Sequence, residues 1–126
     1  PFFGQGMNCG FEDCVYLEKF LELHGENWAA ALKNYDQFQR PNANAIADMA
    51  LENFVEMRDK VGDEKFLLRK KVEALFEKEF PEKYRSRYGM ITYTWIPYAL
   101  AQTAGKIQDE ILQSLCQNIQ KKFDCA

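Results

Sequence analysis

Apolar residues recurring at helical spacing constrain this chain more than any other feature. The clearest run follows Asn44, where Ile46, Met49, Ala50, Asn53, Phe54 and Met57 form one stripe, because residues three and four apart share a helix face. Similar spacing puts Phe11, Cys14, Val15 and Leu21 on a helix from Gly10 to Leu23, stopped by His24-Gly25, with Glu12 and Asp13 in its first turn. Asn27 suits the N-cap of a second helix through Trp28-Ala29-Ala30-Ala31-Leu32, and Pro41 should kink or break it after Arg40. Asp63 suits the cap of a helix through Phe66, Leu67, Leu75 and Phe76 that ends before Pro81. Pro97 fits the first turn of a last helix with the stripe Tyr98, Ala101, Ile107, Ile111 and Leu115, and Lys121 and Lys122 near its end. Between these two, Met90-Ile91-Thr92-Tyr93-Thr94-Trp95 alternates with period two and is β-branched and aromatic. That predicts one short extended segment, near 88–95, in an otherwise mainly α fold.

With 126 residues the chain is one domain, and its 47% hydrophobic and 14% aromatic content supply a packed core rather than disorder. A net charge of −3 with interleaved basic and acidic residues gives no footprint for nucleic acid. Cys9, Cys14, Cys116 and Cys125 lack C-x-x-C spacing, and His24 is the single histidine, which argues against a metal site. These cysteines read as reduced thiols of a cytoplasmic protein, with Cys14 on a buried helix face. No stretch reaches the roughly 20 apolar residues that span a bilayer, so no membrane association is expected.

Three features bear on function. Gly4, Gly6 and Gly10 lie within seven residues and run into the first helix; such a loop makes either a structural turn or a close approach to an anion or electron-rich ring at a helix N-terminus. Asn53 puts a carboxamide in the middle of an apolar stripe, where either a neighbouring backbone group or a ligand must satisfy it. Tyr84, Tyr88, Tyr93 and Trp95 form an aromatic cluster that reads as core, with a pocket wall as the alternative. No nucleophile and base can be paired, the loop lacks the Lys-Ser/Thr of a P-loop, and no catalytic side chain is assigned.

Three segments resemble the kynurenine 3-monooxygenase family of flavin-dependent aromatic hydroxylases: Pro1-Phe2-Phe3-Gly4-Gln5-Gly6-Met7-Asn8 with Gly10-Phe11-Glu12-Asp13-Cys14, then 45–59 around Asn53, then Arg87-Tyr88-Gly89-Met90-Ile91-Thr92-Tyr93. The resemblance implies the C-terminal portion of a larger enzyme, with 1–24 closing the FAD-binding region and 27–126 forming a helical substrate-side region. The implied partner is a preceding FAD domain with a G-x-G-x-x-G motif, without which the chain should neither hydroxylate nor retain FAD. It further implies FAD at Gly6, Met7 and Asn8, NADPH as co-substrate, and L-kynurenine against Asn53 and Tyr88. Pro1, Phe2, Gly4, Met57 and Thr92 then border the substrate. Relatives commonly carry a basic residue at the position of Trp95, and animal members continue into a membrane anchor; the resemblance points to the soluble bacterial type. Exposed flavin-side and substrate-side faces lead to an expected homo-oligomer. A flavin hydroxylase for another aryl substrate and a non-catalytic helical interaction module are the alternatives.

Overall fold

The computed structural model describes residues 3–59 and 62–124, with side chains as far as 119. The described residues form five helices and no strand: α1 (Gly6–His24), α2 (Trp28–Asp59), α3 (Glu64–Glu79), α4 (Arg87–Tyr93) and α5 (Tyr98–Asp124). The mainly α expectation holds. The chain divides into two compact units, Pro1–Asn53 and Phe54–Ala126, with the boundary inside α2.

In the first unit α1 and α2 make an antiparallel hairpin. Gly25 turns the chain at φ 55, and its N–H closes α1 on the Leu21 carbonyl at 2.9 Å, with a positive φ that glycine adopts without Cβ strain. Asn27 caps α2 as expected, its Oδ1 accepting the Ala30 N–H at 3.1 Å. The seam then reads outward from the turn. The Asn34 amide lies 2.8 Å from His24 Nε2, Phe20 meets Tyr35 and Phe38, Tyr16 meets Phe38 at 4.7 Å, and the Gln39 amide donates to Asp13 Oδ1 at 2.7 Å. Burial, and then the Asp13 carboxylate, raise the Tyr35 phenol above its usual pKa. Ala31, Ala45 and Met49 are the most deeply buried apolar residues of this unit.

Two expectations for α1 fail in this hairpin, and the break expected in α2 is absent. The first helix starts at Gly6, so Glu12 and Asp13 fall beyond its first turn. Because Asp13, Tyr16, Phe20 and His24 face α2, the Phe11, Cys14 and Val15 side of α1 is exposed rather than buried. Pro41 does not end a helix either, since α2 runs on to Asp59. Proline removes one backbone hydrogen bond, but Gln39 and Asn42 on either side of it are buried. The Asn42 carboxamide also donates to the Phe38 carbonyl one turn back at 3.0 Å, so both turns are anchored by side chains.

In the second unit α3 and α4 pack on α5. Tyr98, Ala101, Gly105, Leu112 and Cys116 form the buried face of α5. The expected stripe is correct at Tyr98 and Ala101, but Ile107 and Ile111 stand on another face with more than half of their surface exposed. Asp63 caps α3 by accepting the Lys65 N–H at 3.0 Å. Phe66, Leu68, Val72 and Phe76 are its half-buried apolar positions.

The segment expected to be extended is helical from Arg87 to Tyr93, and Thr94 at its end is extended (φ −138, ψ 168). The reasons are a cap and a burial pattern. Ser86 Oγ accepts the Gly89 N–H at 3.1 Å, and the Ser86 N–H and O–H both donate to Glu77 Oε1, at 3.0 and 2.8 Å. Gly89, Met90 and Ile91 are buried in succession, whereas a strand would send Met90 and Ile91 to opposite faces. An ion network ties the elements of this unit together: Arg69 pairs with Glu56 at 2.9 Å and Asp109 at 3.5 Å, and Asp109 also pairs with Arg87.

Candidate functional site

The glycine-rich entry is built as a turn followed by an open helix end. Gly4 has φ 67, and Gln5 at the N-cap provides no side-chain hydrogen bond to the helix backbone. Its Oε1 instead accepts the Asn8 amide at 2.6 Å, and Gln5 is buried. The first intrahelical bond runs from the Cys9 N–H to the Gln5 carbonyl at 2.8 Å. The N–H groups of Gly6, Met7 and Asn8 therefore precede the helical ladder, at the positive end of the α1 dipole. Met7 is 71% exposed. Gly4, Gly6, Met7 and Asn8 are thus brought together at one end of α1; Pro1 and Phe2 lie outside the described residues.

Asn53 is half-buried on α2, one turn after the fully buried Met49, and Met57 one turn later is largely exposed. Tyr88 and Thr92 are four residues apart on α4 and share a side of it. The Tyr88 ring is half-exposed and meets Tyr93 edge to face, with centroids 6.2 Å apart and planes at 79°. The Thr92 hydroxyl is buried without a hydrogen-bond partner among the described residues. Buried hydroxyls are ordinarily paired, so this one has an unused donor and acceptor. Asn53 belongs to the first unit, and Met57, Tyr88 and Thr92 to the second.

The aromatic cluster is not one core. Tyr84 turns toward α3, 5.7 Å from the Phe76 ring and 3.4 Å from Glu73 Oε1, and burial followed by the Glu73 charge pushes its pKa well up. Tyr88, Tyr93 and Trp95 are exposed, Trp95 by 84%, because α4 buries its Met90 and Ile91 side instead. Sequence reasoning missed the supports of α4: Ser86, Glu77, Arg87, Gly105 and Asp109. Ser86, three residues before Gly89, was a readable capping signal that the period-two alternation masked.

No protein-family model matches the chain. Curated proteins do, and they give a class first: over nearly its whole length the chain is similar to monooxygenases. These are kynurenine 3-monooxygenases. The one from Myxococcus xanthus is 46% identical over 124 residues, covering 98% of this chain and 26% of the relative. Those from Flavobacterium psychrophilum and Dictyostelium discoideum are 38% and 42% identical, over 98% and 91% of this chain and 28% of each relative. The chain is a homologue of the kynurenine 3-monooxygenases that spans about a quarter of the length of the relatives it matches. Among the described residues, no helix is long and apolar enough to cross a membrane.

Proposed function

We propose that this chain is the C-terminal part of an FAD- and NADPH-dependent enzyme that hydroxylates L-kynurenine to 3-hydroxykynurenine. The observation that carries the reading is identity of 38–46% across almost the entire chain with enzymes of that name. The open N-terminus of α1 fits the cofactor: the Met7 and Asn8 N–H groups, with Gly6 leaving backbone room, would hold the electron-rich pyrimidine edge of a flavin. FAD, reduced by NADPH, supplies the activation of O2. The chain's own residues bind and orient. Asn53 and Tyr88 hydrogen-bond the amino-acid end of the substrate. Met57 and Thr92 line its pocket, and Pro1, Phe2 and Gly4 border the reacting ring. The unpartnered Thr92 hydroxyl, one turn from Tyr88, supports a polar ligand on that side of α4.

The FAD domain comes from the remainder of the enzyme, and the 126 residues alone do not turn over kynurenine. The test is steady-state kinetics of the complete enzyme carrying Asn53→Ala or Tyr88→Phe. Each removes a hydrogen bond to a charged group and raises the KM for L-kynurenine by about tenfold. Wild-type kinetics in both variants would remove these residues from the substrate site.

A further inference from the structure

We propose that Arg87, laid across Gly105 of α5 and anchored on Asp109, is a positioning residue that fixes the rotation of α4 and so aims Tyr88 and Thr92. The inference rests on the reading above, in which those two side chains meet the substrate.

Seven residues are too few for a helix to hold its own geometry in water. The Ser86–Glu77 clamp fixes where α4 begins; what fixes its rotation is the next residue. The Arg87 side chain crosses α5 at Gly105 and ends on Asp109, one turn further along that helix. Asp109 is held from its other side by Arg69, which pairs in turn with Glu56. The anchor is therefore a half-exposed carboxylate on a packed element, held by two arginines.

Gly105 shows that the crossing is built into α5. A glycine inside a 27-residue helix weakens it relative to alanine, and here the space it leaves is filled by Arg87. A Cβ at position 105 would stand 3.1 Å from both Cγ and Cδ of Arg87, and closer still to Nε. These are stem atoms whose charged end is already committed to Asp109, so the arginine must leave its seat to admit a methyl group. Ile91, one turn after Arg87, is buried on the same side of α4. Tyr88 and Thr92 lie about 100° around the helix from that side. A rotation of α4 released by loss of the Arg87 seat moves both side chains and draws Ile91 from its packing, so that the backbone bonds of this short helix open more readily.

The experiment is a double-mutant cycle in the complete enzyme with Gly105→Ala and Tyr88→Phe, accompanied by Arg87→Gln as a second route to the same loss. Gly105→Ala and Arg87→Gln are expected to raise the KM for L-kynurenine about fivefold while kcat stays within about twofold, and Gly105→Ala should add little to Tyr88→Phe. A merely structural role would lower thermal stability without that split and without coupling to Tyr88. An unchanged KM in Gly105→Ala and Arg87→Gln, or effects fully additive with Tyr88→Phe, overturns the proposal. Should Tyr88→Phe itself leave KM unchanged, the reading of the site falls, and amide exchange judges the seat independently. Faster exchange across 87–93 in Gly105→Ala then supports a role in fixing α4, and unchanged protection there overturns it.

Discussion

Ser86→Ala is the substitution that most directly tests why α4 is a helix. The serine Oγ accepts the Gly89 N–H at 3.1 Å and donates to Glu77 Oε1 at 2.8 Å, and the residue is 8% exposed, so water does not replace either bond readily. Losing an N-cap costs about 1 kcal/mol. Losing a hydrogen bond to a carboxylate costs about 1.5 kcal/mol, at the low end of the range because Glu77 keeps the Ser86 N–H at 3.0 Å. The two together, about 2.5 kcal/mol, correspond to roughly 60-fold easier opening of α4. Amide hydrogen exchange reads this locally: Gly89 and Met90 should exchange faster by that factor, while α1 amides in the other unit should not change. Ser86→Thr should restore most of the protection, since threonine caps nearly as well. Protection within a factor of two of the parent in Ser86→Ala would refute the argument, because it would mean that packing of Met90 and Ile91 alone specifies the helix.

Other outcomes follow from the same structure. Met49 has no exposed surface, and Met49→Ala should destabilise the first unit by about 2–5 kcal/mol in urea denaturation followed by circular dichroism. Tyr84 has a folded-state pKa raised from 10.0 by burial and by Glu73, so its contribution to stability is complete below pH 10 and is lost as pH rises through the folded value. Alkaline denaturation should therefore start later in Tyr84→Phe than in the parent, and coincident curves would contradict the raised pKa. The chain alone, mixed with FAD and passed over a desalting column, should elute without visible flavin absorbance; a stoichiometric yellow peak would show that the N-terminus of α1 and its neighbours suffice for binding.

Much of this molecule was legible in the sequence, and the misreadings share causes. Asn27, Asp63 and Gly25 were readable because capping and turn chemistry are local: each acts on backbone groups within a few residues. The stripe through Ile46 and Met49 was readable because one face of α2 is buried. Phe11, Cys14 and Val15 misled because helical spacing says that a face is apolar and not which neighbour covers it; the seam chosen by α1 runs instead through Asp13, Tyr16, Phe20 and His24. The break expected at Pro41 is absent because side chains of the same helix anchor the turns on both sides of it. Of the candidate site, Gly4, Gly6, Met7 and Asn8 were visible as a glycine-rich helix entry. Asn53 stood out as an amide among apolar residues. Tyr88 and Thr92 were placed on an extended segment, and their shared side of a helix emerged only from the fold.

The sequence by itself determined that the chain is helical, where α2 and α3 are capped and α1 ends, and which family of enzymes it resembles, because these depend on local spacing and on residue identity. Tertiary structure alone decided that 87–93 is a helix, which faces of α1 and α5 are buried, and that Arg87 lies in the space left by Gly105. Those outcomes depend on residues distant in sequence meeting in space: Glu77 with Ser86, and Gly105 and Asp109 with Arg87. A period-two alternation favours a strand only where another strand is present to pair with it. In the second unit this segment packs on α5 and its Ser86 cap meets Glu77 of α3, so the backbone bonds close within the segment itself.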